Sequence, residues 1–130
     1  MQKITYFTRL ALCSAGLFLS SVNTHAGEKK LMHCFAFTAV ESATDADWKA
    51  FYKATDQIPK KIHGVSKVWY GKLGQPINIG GQTRQYGVCM EMADMDTLRA
   101  YTNDPYHKEW VGIYSKVRVE GTTTYDILGQ

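Results

Sequence analysis

The segment YTNDPYHKEW, residues 101–110, holds the side chains with the clearest capacity for chemistry. His107 is followed at helical spacing by Trp110, Val111 and Tyr114, so we expect its imidazole to point inward with these groups. An imidazole with a pKa near ~6.5 suits proton transfer at neutral pH. The spacing favours a core histidine that is hydrogen-bonded to a neighbour. The sharper alternative is a general base at the mouth of an apolar cavity.

Tyr101 precedes His107 across the helix break that Pro105 predicts. A phenol that faces the same cavity could donate a hydrogen bond to a carbonyl or an enolate. An aromatic core residue whose hydroxyl reaches the surface is the commoner arrangement. The sequence leaves both roles open for Tyr101.

Two further polar side chains could converge on the same place. His33 shares one face of a predicted strand with Phe35, and Tyr86 lies on the corresponding face of a later strand. A histidine at the start of a buried strand is usually structural. If that face is a cavity floor, His33, Tyr86, Tyr101 and His107 meet in an apolar pocket, which is the usual form of a ligand site.

Other kinds of site find little support. After residue 26 the histidines lack H-x3-H spacing and the cysteines lack C-x2-C spacing, so we predict no metal site. The pair Gly80-Gly81 indicates a turn and not a phosphate-binding loop. We expect no cofactor, and haem bound through His107 is a disfavoured alternative.

The first 26 residues have the pattern of a secretory signal peptide. Lys3 and Arg9 precede an apolar run at 10–22, and small residues stand at 24 and 26. The run is shorter than the ~20 residues of a membrane span. We therefore predict export to the periplasm or the medium, with no membrane association after cleavage.

The remainder, 27–130, is predicted to form one domain of about 100 residues. A hydrophobic fraction of 45% with 21% charged residues excludes a disordered chain. The near-balanced charge gives no footprint for nucleic acid, so nucleic acid is not an expected partner. Cys34 and Cys89 could form one disulfide in an exported chain. Two buried thiols at a dimer interface are slightly favoured, because strand register cannot be read from sequence.

The chain pattern predicts an α+β, ferredoxin-like fold with a four-stranded antiparallel sheet and helices on one face. Strands are predicted at 31–39, 63–71, 84–93 and 119–128. A first helix follows Thr44 and is expected to end or kink at Ile58, before Pro59. Asp94 or Asp96 begins a short helix, Asp104 begins another, and 75–83 is expected to be a flexible connection.

The sheet face away from the helices is predicted to need a cover. Strict alternation in the second strand puts Val65, Lys67 and Trp69 on one face and Ser66, Val68 and Tyr70 on the other. The uncovered face would carry Met32, Cys34, Ala36, Trp69 and Cys89. One short chain has nothing left to cover it, so we predict a homodimer through the sheet faces.

Five segments of the chain form a recognisable set: MHCFAF around His33, Ile62-His63-Gly64-Val65, Val68-Trp69-Tyr70-Gly71, Tyr101-x3-Pro105-x-His107-x2-Trp110, and Tyr125-Asp126. On these segments the chain resembles the stress-responsive dimeric A/B barrel (Dabb) family over residues 31–128. The resemblance implies a ferredoxin-like fold that dimerises into an α+β barrel, with a cavity between sheet and helices in each subunit.

One branch of the family, the plant polyketide cyclase, implies roles for individual residues. Its tyrosine and histidine match Tyr101 and His107, and its first-strand histidine matches His33. Its third-strand histidine falls on Tyr86, a further helix tyrosine falls on Thr55, and His63 replaces the usual proline. These departures put cyclase activity in doubt. The residues expected to line the cavity are His33, Phe35, Phe51, Tyr52, Val68, Tyr86, Val88 and Trp110.

Three functions remain open at this point. The first is an exported homodimer that binds a small apolar or aromatic molecule in the cavity. The second is a cofactor-independent, polyketide-cyclase-like or isomerase-like enzyme with His107 as general base and Tyr101 as orienting donor. The third is a stress-associated structural protein whose cavity is filled by its own side chains.

Overall fold

The computed structural model describes residues 29–130, so the predicted signal peptide lies outside the described residues. Four strands form one antiparallel sheet in the order β2-β3-β1-β4. The elements in chain order are β1 (Leu31–Phe37), α1 (Asp45–Lys61), β2 (Val65–Ile79), β3 (Gln82–Met92), α2 (Met95–Tyr101), α3 (Pro105–Tyr114) and β4 (Thr123–Leu128). The predicted ferredoxin-like α+β fold is confirmed.

The core lies between one face of the sheet and the helices. Alternate residues of β1 and β3 supply the sheet side, namely Leu31, Phe35, Phe37, Val88, Met90 and Met92. Phe51 and Ile58 of α1 and Trp110 of α3 supply the helix side, each with 2% exposure or less. Since β1 and β3 alternate with period two, the faces predicted for these strands are confirmed.

Helix α1 begins and ends for different physical reasons. Thr44 and Asp47 form a reciprocal capping box that satisfies free N–H groups at the start. The helix runs through Pro59 to Lys61, so of the two predicted outcomes at Ile58, an end or a kink, the end is wrong. Proline only biases the preceding residue away from helix, and here Ile58 is completely buried and accepts a hydrogen bond from the Ile62 N–H.

Strand β2 departs from strict alternation. Its register against β3 shifts between Val65 and Lys67, which leaves Ser66 as an extra residue in the manner of a β-bulge. Val65 is therefore buried in the core, on the same side as the half-buried Val68. The prediction that Val65 shares a face with Lys67 and Trp69 is wrong, because one inserted residue reverses the facing of the residues that follow it.

Two other boundaries also differ from prediction. Residues 75–83 were expected to be a flexible connection, but β2 and β3 continue through them as a hairpin. Gly80 and Gly81 turn the chain with φ of 58° and 73°, which favours glycine at both positions. Strand β4 begins at Thr123 and not at residue 119, because 119–122 form no ladder with β1.

Cys34 and Cys89 lie directly opposite each other on β1 and β3, with Cα atoms 4.1 Å apart. Their sulfur atoms are bonded, whereas the sequence slightly favoured two free thiols. The missing information was the register, which places the pair at a close position of the antiparallel ladder.

The sheet face away from the helices carries exposed apolar side chains. Trp69 is 42% exposed, Tyr125 47% and Ile127 56%. Cys34 and Ala36, also predicted on this face, are already buried within the single chain. The surface left uncovered therefore comes mainly from the two outer strands. Within residues 29–130, the helices are too short or too polar to cross a membrane.

Because the disulfide closes a loop across 55 positions, we expect its removal to destabilise the fold by up to about 4 kcal/mol. The variant Cys34→Ala/Cys89→Ala should show this loss in guanidinium unfolding, and reduction of the wild type should produce a similar loss. Mass spectrometry of unreduced, alkylated protein should find the two cysteine peptides joined. Recovery of both peptides as free alkylated thiols would contradict the assignment.

Candidate functional site

The start of α3 is fixed by Asp104. Its carboxylate accepts hydrogen bonds from the backbone N–H groups of Tyr106 at 2.7 Å and His107 at 3.4 Å. Pro105 follows as the first helical residue, where its missing N–H costs nothing. This cap fixes His107 in the first turn of the helix, on the side that carries the buried Trp110.

Tyr101 ends α2 and meets His107 across the short turn between the helices. Asp104 N–H donates to the Tyr101 carbonyl at 3.2 Å, which draws the two helix ends together. The centroids of the Tyr101 and His107 rings lie 4.0 Å apart. Tyr101 is only 3% exposed, so the pair forms one end of an interior surface.

His33 of β1 joins this pair from the sheet. Its ring centroid lies 5.7 Å from that of Tyr101. Its Nδ1 lies 2.6 Å from Oδ1 of Asp126, which pairs with His33 in the β1–β4 register. Because an ionised carboxylate only accepts hydrogen bonds, we assign the Nδ1 proton to His33, and this contact orients the ring.

A cavity of about 160 Å³ lies beside these three side chains. Its polar end is formed by His33, Tyr101 and His107, and its apolar walls by Phe35, Trp110, Val111 and Tyr114. Arg118, Thr122 and Thr124 complete the lining. Among residues 29–130 no group of three or more histidine, cysteine or carboxylate side chains could hold a metal ion.

Burial is the main cause that lowers the pKa of His107 from its ordinary value. The nearby His33 acts in the same direction, while the Thr102 backbone and Asp104 oppose it. Nδ1 of His107 is buried and has no hydrogen bond of ordinary geometry, so the Thr102 contact is a weak one. His107 is therefore a neutral imidazole at pH 7.

Burial also raises the pKa of the Tyr101 phenol, which stays protonated at any physiological pH. A neutral imidazole and a protonated phenol side by side can accept one proton and donate one hydrogen bond. That combination suits removal of a proton from a hydroxyl, or from a carbon next to a carbonyl.

Five residues predicted to line the cavity lie elsewhere. Phe51 and Val88 are core residues with 1% exposure, and Phe51 lies behind the cavity wall formed by Trp110 and Tyr114. Tyr52 and Tyr86 line a separate open depression beside Trp48 of α1, and Val68 packs half-buried against the core. For Tyr86 the reason is register, because it pairs with Phe37 and not with His33.

The sequence prediction missed Asp126, Arg118, Thr122 and Thr124. Asp126 reaches the site only through the β1–β4 register, and Arg118 lies after the turn that follows α3, in an isolated bridge with Ala39. The segment Tyr125-Asp126 was already part of the family resemblance, and that was the available signal for the carboxylate.

The sequence profile of the Stress Responsive A/B Barrel Domain family, Dabb, matches residues 31–127. This is most of the chain, and the protein belongs to that family. None of the curated proteins matches the chain.

Several solved structures share the fold at low identity. A Dabb family protein from Mesorhizobium loti is 22% identical with a TM-score of 0.61, covering 79% of this chain and 99% of its own. A dimeric ferredoxin-like protein of unknown function from Thermobifida fusca is 18% identical with a TM-score of 0.61, covering 78% and 92%. Hydroxynitrile lyase from Passiflora edulis is 7% identical with a TM-score of 0.65, covering 80% and 95%.

The lowered pKa of His107 predicts a specific pH dependence of stability. The unfolded chain binds this proton more readily than the folded chain, so the free energy of unfolding should fall as pH drops below about 7. Guanidinium unfolding at pH 7.5 and 5.5 should show a smaller fall for His107→Gln than for wild type.

His63 is exposed and offers the matched control, since His63→Gln should keep the wild-type fall. Asp47 and Glu91 also have lowered pKa values, but carboxylates contribute mainly below this pH interval. An equal fall in His107→Gln and wild type would show that the imidazole is not desolvated.

Proposed function

We propose that the cavity binds a small aromatic molecule whose polar end faces Tyr101 and His107. The observation that carries this is a neutral imidazole and a protonated phenol, with ring centroids 4.0 Å apart, at one end of a cavity whose walls include Phe35, Trp110 and Tyr114. An apolar cavity of about 150 Å³ is large enough to hold benzene. The volume of about 160 Å³ suits a single ring with a short substituent.

The alternative of a self-filled cavity has less support. Tyr101, Trp110 and Tyr114 are already packed, with 4% exposure or less, and the space remains beside them. Nδ1 of His107 and the hydroxyl of Tyr114 also lack ordinary hydrogen-bond partners. Buried polar atoms are normally paired, so this lining favours a ligand over a packed core.

A second candidate function is proton transfer on the bound molecule. His107 would accept the proton, Tyr101 would donate a hydrogen bond to the carbonyl oxygen, and the His33–Asp126 contact would hold the neighbouring ring in place. The Passiflora edulis neighbour is a hydroxynitrile lyase by its name, which makes a small carbonyl-related substrate reasonable here. A polyketide needs a larger space, since ordinary ligand pockets span about 300–1,000 Å³.

We further propose that the protein acts as an exported homodimer. The exposed Trp69, Tyr125 and Ile127 beside the Cys34–Cys89 disulfide offer an apolar face to a second copy. Solved neighbours from Thermobifida fusca and Bacteroides fragilis are described as dimeric. A disulfide agrees with an oxidising compartment, as the leader-like residues 1–26 predict.

Binding is tested with neutral single-ring probes, acetophenone and 4-methylphenol. We expect saturable quenching of tryptophan fluorescence and shifts of the Val111 methyl resonances, because Trp110 and Val111 line the cavity. Val111→Phe should fill the space and weaken binding at least tenfold.

Val68→Phe is the matched control. Val68 is also a half-buried valine, but it lies outside the cavity lining, so this variant should bind like wild type. Absence of saturable binding in the wild type, or equal binding by Val111→Phe, would overturn the proposal.

Catalysis is tested by hydrogen–deuterium exchange at the methyl group of acetophenone in D2O, followed by NMR. If His107 is the base, His107→Gln should slow the protein-catalysed exchange by about 10²–10⁴-fold. Tyr101→Phe should slow it through loss of the donor to the enolate, and His63→Gln should leave it unchanged. If wild type exchanges the methyl protons no faster than free imidazole does, the catalytic function is rejected and the binding function remains.

A further inference from the structure

The cavity has a second polar end, formed by Arg118 and the hydroxyls of Thr122 and Thr124. Along α3, His107 lies in the first turn and Tyr114 is the last residue, roughly 10 Å further along the axis. The Arg118 guanidinium lies over the Tyr114 ring, 4.6 Å from its centroid. The guanidinium is therefore at the opposite end of the cavity from the imidazole.

Strand β4 runs past the cavity in the matching order. Asp126 pairs with His33 at the imidazole end, and Thr124 pairs with Phe35, about 7 Å along the strand. Thr122 lies beyond it, with its hydroxyl 3.2 Å from that of Thr124. Side chains of β4 and α3 thus lie along the cavity from its imidazole end to its guanidinium end.

The cationic end lacks an anion. Two ion pairs occur among residues 29–130, Lys30–Glu91 and Arg99–Asp96, and Arg118 belongs to neither. The carboxylate of Asp126 is engaged by His33. Nε of Arg118 is buried without a hydrogen-bond partner. Stacking on Tyr114 explains the position of the guanidinium but leaves its Nε–H unsatisfied.

Arg84 adds to the positive charge behind this end. It is only 7% exposed, and it donates to neutral oxygens, those of Thr38, Gln82 and Gly121. Its Nε also lacks a partner. Arginines buried to this degree are normally paired with a carboxylate, and no described carboxylate approaches this one.

The Tyr114 hydroxyl is the third donor without an acceptor. Tyr114 is 4% exposed, and its hydroxyl is buried with no hydrogen-bond partner. Burial raises the pKa of this phenol, the charges of Arg118 and Arg84 oppose that rise, and Tyr101 adds to it. The hydroxyl is therefore within electrostatic reach of both arginines. A guanidinium N–H and a phenol O–H that share one cavity end call for a negatively charged acceptor.

We propose that the natural ligand is an aromatic carboxylate, held by its carboxylate at Arg118 and Tyr114 and by an opposite hydroxyl or carbonyl at Tyr101 and His107. This inference rests on the proposed function, since it names the chemical class that the same cavity takes. The two polar ends of the cavity match the carboxylate and the opposite hydroxyl or carbonyl of such a molecule, and the aromatic walls match its ring.

The test compares 4-hydroxybenzoate with 4-hydroxybenzamide, two probes of the same shape that differ in charge, by isothermal titration calorimetry. Wild type should bind the carboxylate about ten- to a hundredfold more tightly than the amide, as expected for a charge-assisted contact. Arg118→Gln should lose this preference while it still binds the amide.

Lys116→Gln is the matched control, because it removes one positive charge from an exposed position nearby. It should keep the wild-type preference for the carboxylate. Arg118→Lys keeps the charge but loses the planar fork, so its preference should fall several-fold even if Arg118→Gln does not fold. An unchanged preference in Arg118→Lys would overturn the inference.

The outcomes separate the inference from the proposed function. Equal affinity of wild type for the two probes overturns the carboxylate inference and leaves the cavity as a site for neutral rings. Binding of neither probe overturns both. A preference that disappears in Lys116→Gln as well as in Arg118→Gln would assign it to general surface charge and overturn the inference.

Discussion

The position of Trp110 is the constraint on which the candidate site depends. Its indole N–H donates to the buried Thr55 hydroxyl at 3.0 Å, and that hydroxyl donates to the Phe51 carbonyl at 2.7 Å. Its ring lies 5.9 Å from that of Phe35 on the sheet. One side chain thereby joins α3 to α1 and β1, and His107, one turn earlier, has its position fixed by this packing.

This anchor also determines the electrostatics of the imidazole. Because α3 cannot turn away from the sheet, His107 stays against Tyr101 and is partly removed from water. Burial then keeps the imidazole neutral and the phenol protonated, and on His107 it outweighs the opposing effect of Asp104. His33 differs, since Asp126 orients it directly. The site is thus held in place by packing on the helix side and by the His33–Asp126 hydrogen bond on the sheet side.

Much of the fold and the centre of the site could be predicted from sequence, since both depend on local patterns. The signature from Tyr101 to Trp110 puts Tyr101 and His107 on either side of one short connection between two helices. Their rings are in contact in the structure. Several of the predictions that failed depended on strand register. Tyr86 pairs with Phe37 and lies away from His33, whereas Asp126 pairs with His33 and reaches the site. Arg118 comes after the last helical turn, where periodicity carries no information.

The most direct test of the account is a crystal structure of the protein grown with 4-hydroxybenzoate. The account predicts density for one aromatic ring between Phe35 and Val111, with one polar end within hydrogen-bond distance of Tyr101 or His107. A cavity closed by its own side chains, or a His107 ring turned out into bulk solvent, would contradict it.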